Sequence, residues 1–236
     1  MKEWSKMPSS VFVEASDSPL RYMIWSGENK SDYIAALMLY MVLVHHVNEQ
    51  NSLLNGEAGT VSLSYEALCE LTNISRTKVS KGLNVLERYD LVKRTTVGRI
   101  NIYEVVGYLN YSGWAKLPAK GLYDKNLSHV EAFKSFKLRS KSELNALKIY
   151  LVLVAFRDDL TNHTMLGYDK ISEYAFVQRN DIKSALSLLV AMKFIHIDSI
   201  ATEHNAYSTN NVYRLCYLEV YKHRGTKALS EFIAQS

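Results

Sequence analysis

The sequence repeats itself. Trp4, Lys6 and Pro8 return as Trp114, Lys116 and Pro118, and the run Ala36 to Val44 returns as Ala146 to Val154, both at an offset of 110 residues. Further along the offset falls to 103. There Tyr65, Leu68, Leu71, Ile74, Arg76, Val79, Gly82, Leu83, Leu86, Leu91 and Val92 align with Tyr168, Ile171, Tyr174, Val177, Arg179, Ile182, Ala185, Leu186, Leu189, Phe194 and Ile195. Apolar coincidences in one register over this length point to a tandem duplication. The expected boundaries are residues 1–112 for the first copy, 113–220 for the second and 221–236 for a C-terminal tail. A chain of 236 residues leaves each copy long enough to bury its own core.

Both copies predict the same elements. A strongly apolar helix, 32–48 or 142–158, has apolar residues on nearly all sides, as a buried central helix does. A second helix begins near Ser64 or Tyr168 and breaks at Thr72-Asn73-Ile74 or Ala175-Phe176-Val177. A third follows at once, 75–89 or 178–192, with Ser75 as an N-cap whose hydroxyl can accept from a free backbone N–H. Alternating runs 91–94 and 100–105, separated by Thr95-Thr96-Val97-Gly98-Arg99, then read as a hairpin with glycine at the turn. The expected fold class is α+β, mainly helical, made of two tandem winged helix-turn-helix domains related by internal duplication.

From Tyr65 to Arg94 the sequence resembles the winged-helix domains of bacterial transcription regulators of the MarR and GntR kind, over about 40 residues in each copy. Two such domains in one chain also resemble the plasmid replication initiators built from tandem winged helices. The Trp-x-Lys-apolar-Pro segment that opens each copy is not part of the general winged-helix pattern. The resemblance implies double-stranded DNA as partner.

The helical spacing points the same way. Val79, Leu83 and Leu86 share one face of the third helix, which puts Thr77, Lys81, Asn84 and Arg88 on the opposite one, with Arg76, Lys78 and Ser80 flanking and Ser75 at the start. Arg or Lys on such a face can reach guanine O6 and N7, and Asn can pair with adenine. Arg94, Thr95, Thr96, Arg99 and Asn101 on the wing suit phosphate or minor-groove contact. The net charge of +4 is too small to indicate nucleic acid by itself, but it is segregated. Residues 75–101 carry 7 Lys and Arg against 2 acidic residues, while residues 46–72 carry 4 Glu and no Lys or Arg. In the second copy Gln178, Arg179, Asn180, Lys183, Ser184 and Ser187 take the equivalent role, diluted by Asp181. The wing expected over 202–214 is long and polar, with Arg214 at its end. Between the motifs, residues 116–148 carry 8 Lys and Arg against 3 acidic residues and read either as a phosphate-tracking linker or as a solvated one.

Other chemistries find little support. No Gly-rich phosphate loop, nucleophile elbow or H-E-x-x-H is present, so no enzyme, cofactor or metal is expected. Adjacent His45 and His46 point about 100° apart on a helix and share a metal poorly. Cys69 and Cys216 form no C-x-x-C pair and read as core thiols in a reducing, cytoplasmic setting. The longest apolar run, 34–44, is far short of the roughly 20 residues of a membrane span, and the polar N-terminus lacks a signal peptide's apolar core. Most of the 16 Tyr are expected to pack with the hydroxyl at the surface, or to line a homodimer interface. The leading expectation is sequence-specific DNA binding by a transcription regulator. Replication initiation on a mobile element is the second, and a protein-interaction scaffold the third.

Overall fold

The computed structural model describes residues 1–16, 18–52, 56–98, 100–110, 113–159, 161–202 and 205–218, with only the backbone for 199–202 and 205–210. Arg99 and the tail 221–236 lie outside the described residues. The chain is mixed α and β. Its elements are β1 (Trp4–Pro8), α1 (Ser10–Val13), α2 (Lys30–His46), β2 (Thr60–Ser62), α3 (Tyr65–Thr72), α4 (Arg76–Arg88), β3 (Val92–Val97) and β4 (Ile100–Val105). There follow β5 (Trp114–Pro118), α5 (Lys141–Ala155), β6 (His163–Thr164), α6 (Tyr168–Ala175), α7 (Arg179–Ala191), β7 (Ile195–Thr202) and β8 (Asn205–Leu215). Short 3-10 turns occur at Pro19–Arg21, Lys120–Leu122 and Glu131–Ser135.

The same order of elements thus occurs twice. A central helix leads to a short strand, two helices at a tight turn and a hairpin, and the sheets have the matching orders β2-β4-β3 and β6-β8-β7. Every residue from Ile34 to Val44 of α2 is buried, as is every residue from Leu144 to Val154 of α5. Helices with so little polar surface are stable only at the centre of a core. Local chemistry sets the boundaries. Ser64 and Ser75 cap α3 and α4 by accepting from the N–H of Ala67 and Lys78, and a capping box of Ser140 and Glu143 opens α5. Asn73 and Phe176, 103 residues apart, both take left-handed backbone at the turn between the paired helices. Asparagine tolerates that conformation readily, whereas phenylalanine needs surrounding structure to hold it.

Four expectations change. The first hairpin has longer strands than the pattern indicates: Thr95, Thr96 and Val97 belong to β3 and pair with Ile102, Asn101 and Ile100 of β4. Residues 205–215 form one long strand, β8, because they pair with both β6 and β7. Residues 116–148 are no linker: they contain β5, two 3-10 turns and the start of α5, with Ala119, Leu122, Val130 and Phe133 buried. Tyr40, Tyr103, Tyr150 and Tyr213 are buried whole, and the hydroxyls of the first three have no partner among the described residues.

The two Trp-x-Lys-x-Pro segments form an antiparallel ribbon with each other. Trp4 pairs with Pro118, Lys6 with Lys116 and Pro8 with Trp114, and the Trp4 and Trp114 rings stack at 6.1 Å. The segment after each strand then crosses to the other half. Helix α1 packs on α5 and α6, and the Pro19–Arg21 turn packs on α6, where Arg21 lies over the Phe176 ring at 5.2 Å. In the opposite direction Val130 donates its N–H to the carbonyl of Leu71 in α3 at 3.0 Å, and Tyr123 OH lies 3.0 Å from His45 Nδ1 at the end of α2. With α2 also packed on α5, the buried residues of both halves form one continuous cluster.

Candidate nucleic-acid interface

Helix α4 presents its polar face because its other face is committed to α2. Val79, Leu83, Val85 and Leu86 are buried, and Gly82 brings α4 so close to α2 that a Cβ there would lie 2.7 Å from Leu39 Cδ1 and 3.0 Å from Ala36 N. Ser75, Arg76, Thr77, Lys81, Asn84 and Arg88 remain exposed, and Ser80 is half-buried. Arg76 forms an ion pair with Glu66 and lies over the Tyr65 ring at 5.0 Å. Hydrogen bonds from its own backbone N–H, from Arg76 and from Ser64 hold the Glu66 carboxyl below the usual carboxylate range. Both partners are about two-thirds exposed, so this pair orients the guanidinium with little stabilisation of the fold. A shallow cleft of about 280 Å³ opens beside it, lined by Ser62, Tyr65, Glu66, Arg76, Ile100 and Asn101.

The basic residues of this unit divide into two groups. Lys78 turns inward: its ammonium lies 2.6 Å from both Ser31 Oγ and Asp32 Oδ1, and Asp32 is buried, so Lys78 fastens α4 to α2 rather than facing outward. Arg94 is likewise engaged, with Glu87 at 2.7 Å, Tyr65 OH at 3.0 Å and Asn84 Oδ1 at 3.2 Å. That network ties β3 to α3 and α4 and also holds Asn84. Thr96 donates to Asn101 across the wing at 3.0 Å. Lys81, exposed and with no partner among the described residues, is the free cation of the helix face.

The second unit repeats the arrangement with changes of residue. Arg179 pairs with Asp169 and lies over the Tyr168 ring at 5.9 Å, reproducing the set of Arg76, Glu66 and Tyr65. The inward ion pair is reproduced with its charges exchanged. Asp181 on α7 meets Lys141 on α5 at 2.7 Å, where the first unit has Lys78 on α4 and Asp32 on α2. Asp181 therefore does not dilute the outer face, because Lys141 neutralises it. Lys141 also donates to Gln178 at 3.3 Å, so it is engaged rather than available to phosphate. Asn180, Lys183 and Ser184 are exposed, and the Ser184 hydroxyl donates to the Asp181 carbonyl at 2.9 Å. Arg214 sits on β8, pairs with Asp198 at 3.4 Å and lies in register with His163 and His196. The orienting acids Glu66 and Asp169 lie on α3 and α6, so the helical pattern of α4 and α7 does not point to them. Their separation of 103 residues, equal to that of the two arginines they hold, is the signal that finds them.

Several other charged groups are structural. Lys148, within the stretch expected to be a linker, is buried in α5 and donates to the carbonyls of Met23 and Phe176 at 3.2 and 3.1 Å. Burial lowers its pKa to about 7. His45 is buried and lowered to about 3, by burial first and by neighbouring His46 second. Cys69 is half-buried and Cys216 buried, and burial pushes both thiols up. No described helix is long and apolar enough to cross a membrane. No protein-family model matches the chain, and neither the curated proteins nor the solved structures contain a match to it.

Proposed function

We propose that this chain binds double-stranded DNA in a sequence-specific way through two winged helix-turn-helix units that arose by duplication, and that it serves as a transcription regulator. The observation that carries this reading is the exposed face of α4. Arg76, Thr77, Lys81 and Arg88 project from a helix whose opposite face is fully committed to α2, with the β3–β4 hairpin alongside. A rigid helix with a basic, donor-rich outer face fits a major groove, and Arg76, preset by Glu66, offers the forked donor geometry that reads guanine. Lys81 and the exposed Lys93 supply phosphate contacts.

The test is titration of the full chain onto random and selected duplexes at several salt concentrations. The expected result is binding whose log K falls linearly with log salt, with Arg76→Ala and Lys81→Ala each weakening it by about 1–3 kcal/mol where a base contact is lost. Absence of binding at low salt refutes the proposal. Mapping of bound positions then separates an operator at a promoter from repeats at a replication origin.

A further inference from the structure

Two units in one chain can be related by translation, like beads on a string, or by a two-fold axis, like the subunits of a dimer. The β1–β5 ribbon decides between them. Every position of β1 has its counterpart in β5 at an offset of 110, with Trp, Lys and Pro identical, and the pairing is symmetric under that exchange: Trp4 opposite Pro118 becomes Trp114 opposite Pro8. The symmetry continues beyond the strands, where Ser9 N–H donates to Gly113 O at 2.7 Å and Ala119 N–H donates to Glu3 O at 2.8 Å. A pseudo-two-fold axis therefore passes between Lys6 and Lys116.

The axis governs the whole molecule as well as the ribbon. Helix α2 packs on its own counterpart α5. The crossings are reciprocal too. The turn at Pro19–Arg21 meets α6 while Val130, the counterpart of Leu20, meets α3, and both Leu20 and Val130 are fully buried. The crossings thus run in both directions between equivalent segments, as they do at an isologous interface. Because α4 is fixed to α2 and α7 to α5, the axis that exchanges the central helices also exchanges α4 and α7.

We infer that the DNA site read by one chain is an inverted repeat, with its two half-sites in opposite orientation; this rests on the DNA-binding reading above. A two-fold axis between recognition helices coincides with a dyad of the duplex, and each helix then meets its groove from the same side of its own half-site. The repeat is imperfect. The shared pair Arg76 and Arg179, oriented alike by Glu66 and Asp169, reads the same base in both halves. Lys81 against Ser184, and Thr77 against Asn180, read different ones. A single chain thus recognises, with two different half-sites, what a homodimer recognises with two equal ones.

The experiment starts from a site selected out of random duplexes by the full chain. Probes are then made in which one half-site is reversed, converting an inverted arrangement into a direct one at the same spacing. Affinity is expected to fall at least tenfold on reversal, to the level of a probe with one half-site scrambled, and the intact site is expected to bind one chain. Footprints of Arg76→Ala and Arg179→Ala are expected to lose protection at positions symmetric about the centre of the site. Equal or tighter binding of the direct arrangement, or two chains on one inverted repeat, overturns the inference while leaving DNA binding intact. Failure to select any site overturns the DNA reading itself.

Discussion

Gly82 lies in the middle of α4, where glycine is an unfavourable choice, and replacing it with alanine separates two opposed effects. Alanine is favoured over glycine in a helix by about 1 kcal/mol. Against this, the new methyl would lie 2.7 Å from Leu39 Cδ1, 3.0 Å from Ala36 N and 3.1 Å from Ala35 C. Attractive carbon contact begins near ~3.5 Å, so α4 would have to retreat from α2 by roughly 0.5 Å, and two of the three atoms in the way are backbone that no rotamer change relieves. Overpacking of this kind costs about 1–3 kcal/mol, and with backbone opposing it the upper part of that range applies. The expected net effect of Gly82→Ala is destabilisation by about 1–2 kcal/mol. In urea unfolding followed by circular dichroism the midpoint should fall by about 0.5 M, for a slope of about 2–3 kcal/mol per molar. The second unit provides the control. Its counterpart, Ala185, is buried in α7, and Ala185→Gly should also destabilise, by about 1 kcal/mol, through lost helix propensity and lost packing. A midpoint for Gly82→Ala equal to or above that of the parent chain would refute the close-approach argument.

The inward and outward lysines of α4 should separate in two assays. Lys78→Ala leaves the buried Asp32 carboxylate without its cation and is expected to lower stability by about 1–3 kcal/mol, whereas Lys81→Ala should leave the urea midpoint unchanged and weaken duplex binding. The opposite pattern would show that the roles are reversed. Lys148, lowered to about 7 in the folded chain, binds its proton less tightly there than when unfolded. Stability should therefore rise as pH increases from about 7 toward the ordinary lysine range, and Lys148→Met, the residue type at the equivalent position 38, should flatten that slope. His45, lowered to about 3, works at the other end: the unfolded chain takes up a proton between the ordinary histidine range and pH 3 while the folded chain does not. Stability should fall through that window, and His45→Ala should reduce the slope whatever its effect on stability at neutral pH.

The duplicated element order, the burial of the two central helices, the Ser75 cap and the outward set of Arg76, Thr77 and Lys81 were all legible in the sequence. They follow from local rules, namely helical periodicity, capping chemistry and an offset that can be counted along the chain. Other features depend on what lies across from a residue, and no spacing within an element carries that information. Lys78 and Lys81 look alike at three residues' separation, yet Asp32 claims one and leaves the other exposed. Asp181 looks like an intruder on a basic helix until Lys141 is found opposite it. Arg94 looks like a wing residue for phosphate until Glu87, Tyr65 and Asn84 close around it. The Trp-x-Lys-x-Pro segments were visible as a repeat but not as a pair, because antiparallel pairing joins residues about a hundred positions apart. The amino-acid pattern thus determined that there are two like units, and only the tertiary structure decided that they face each other across a two-fold axis. A repeat in sequence records similarity, whereas orientation is set by which surfaces the two copies bury together.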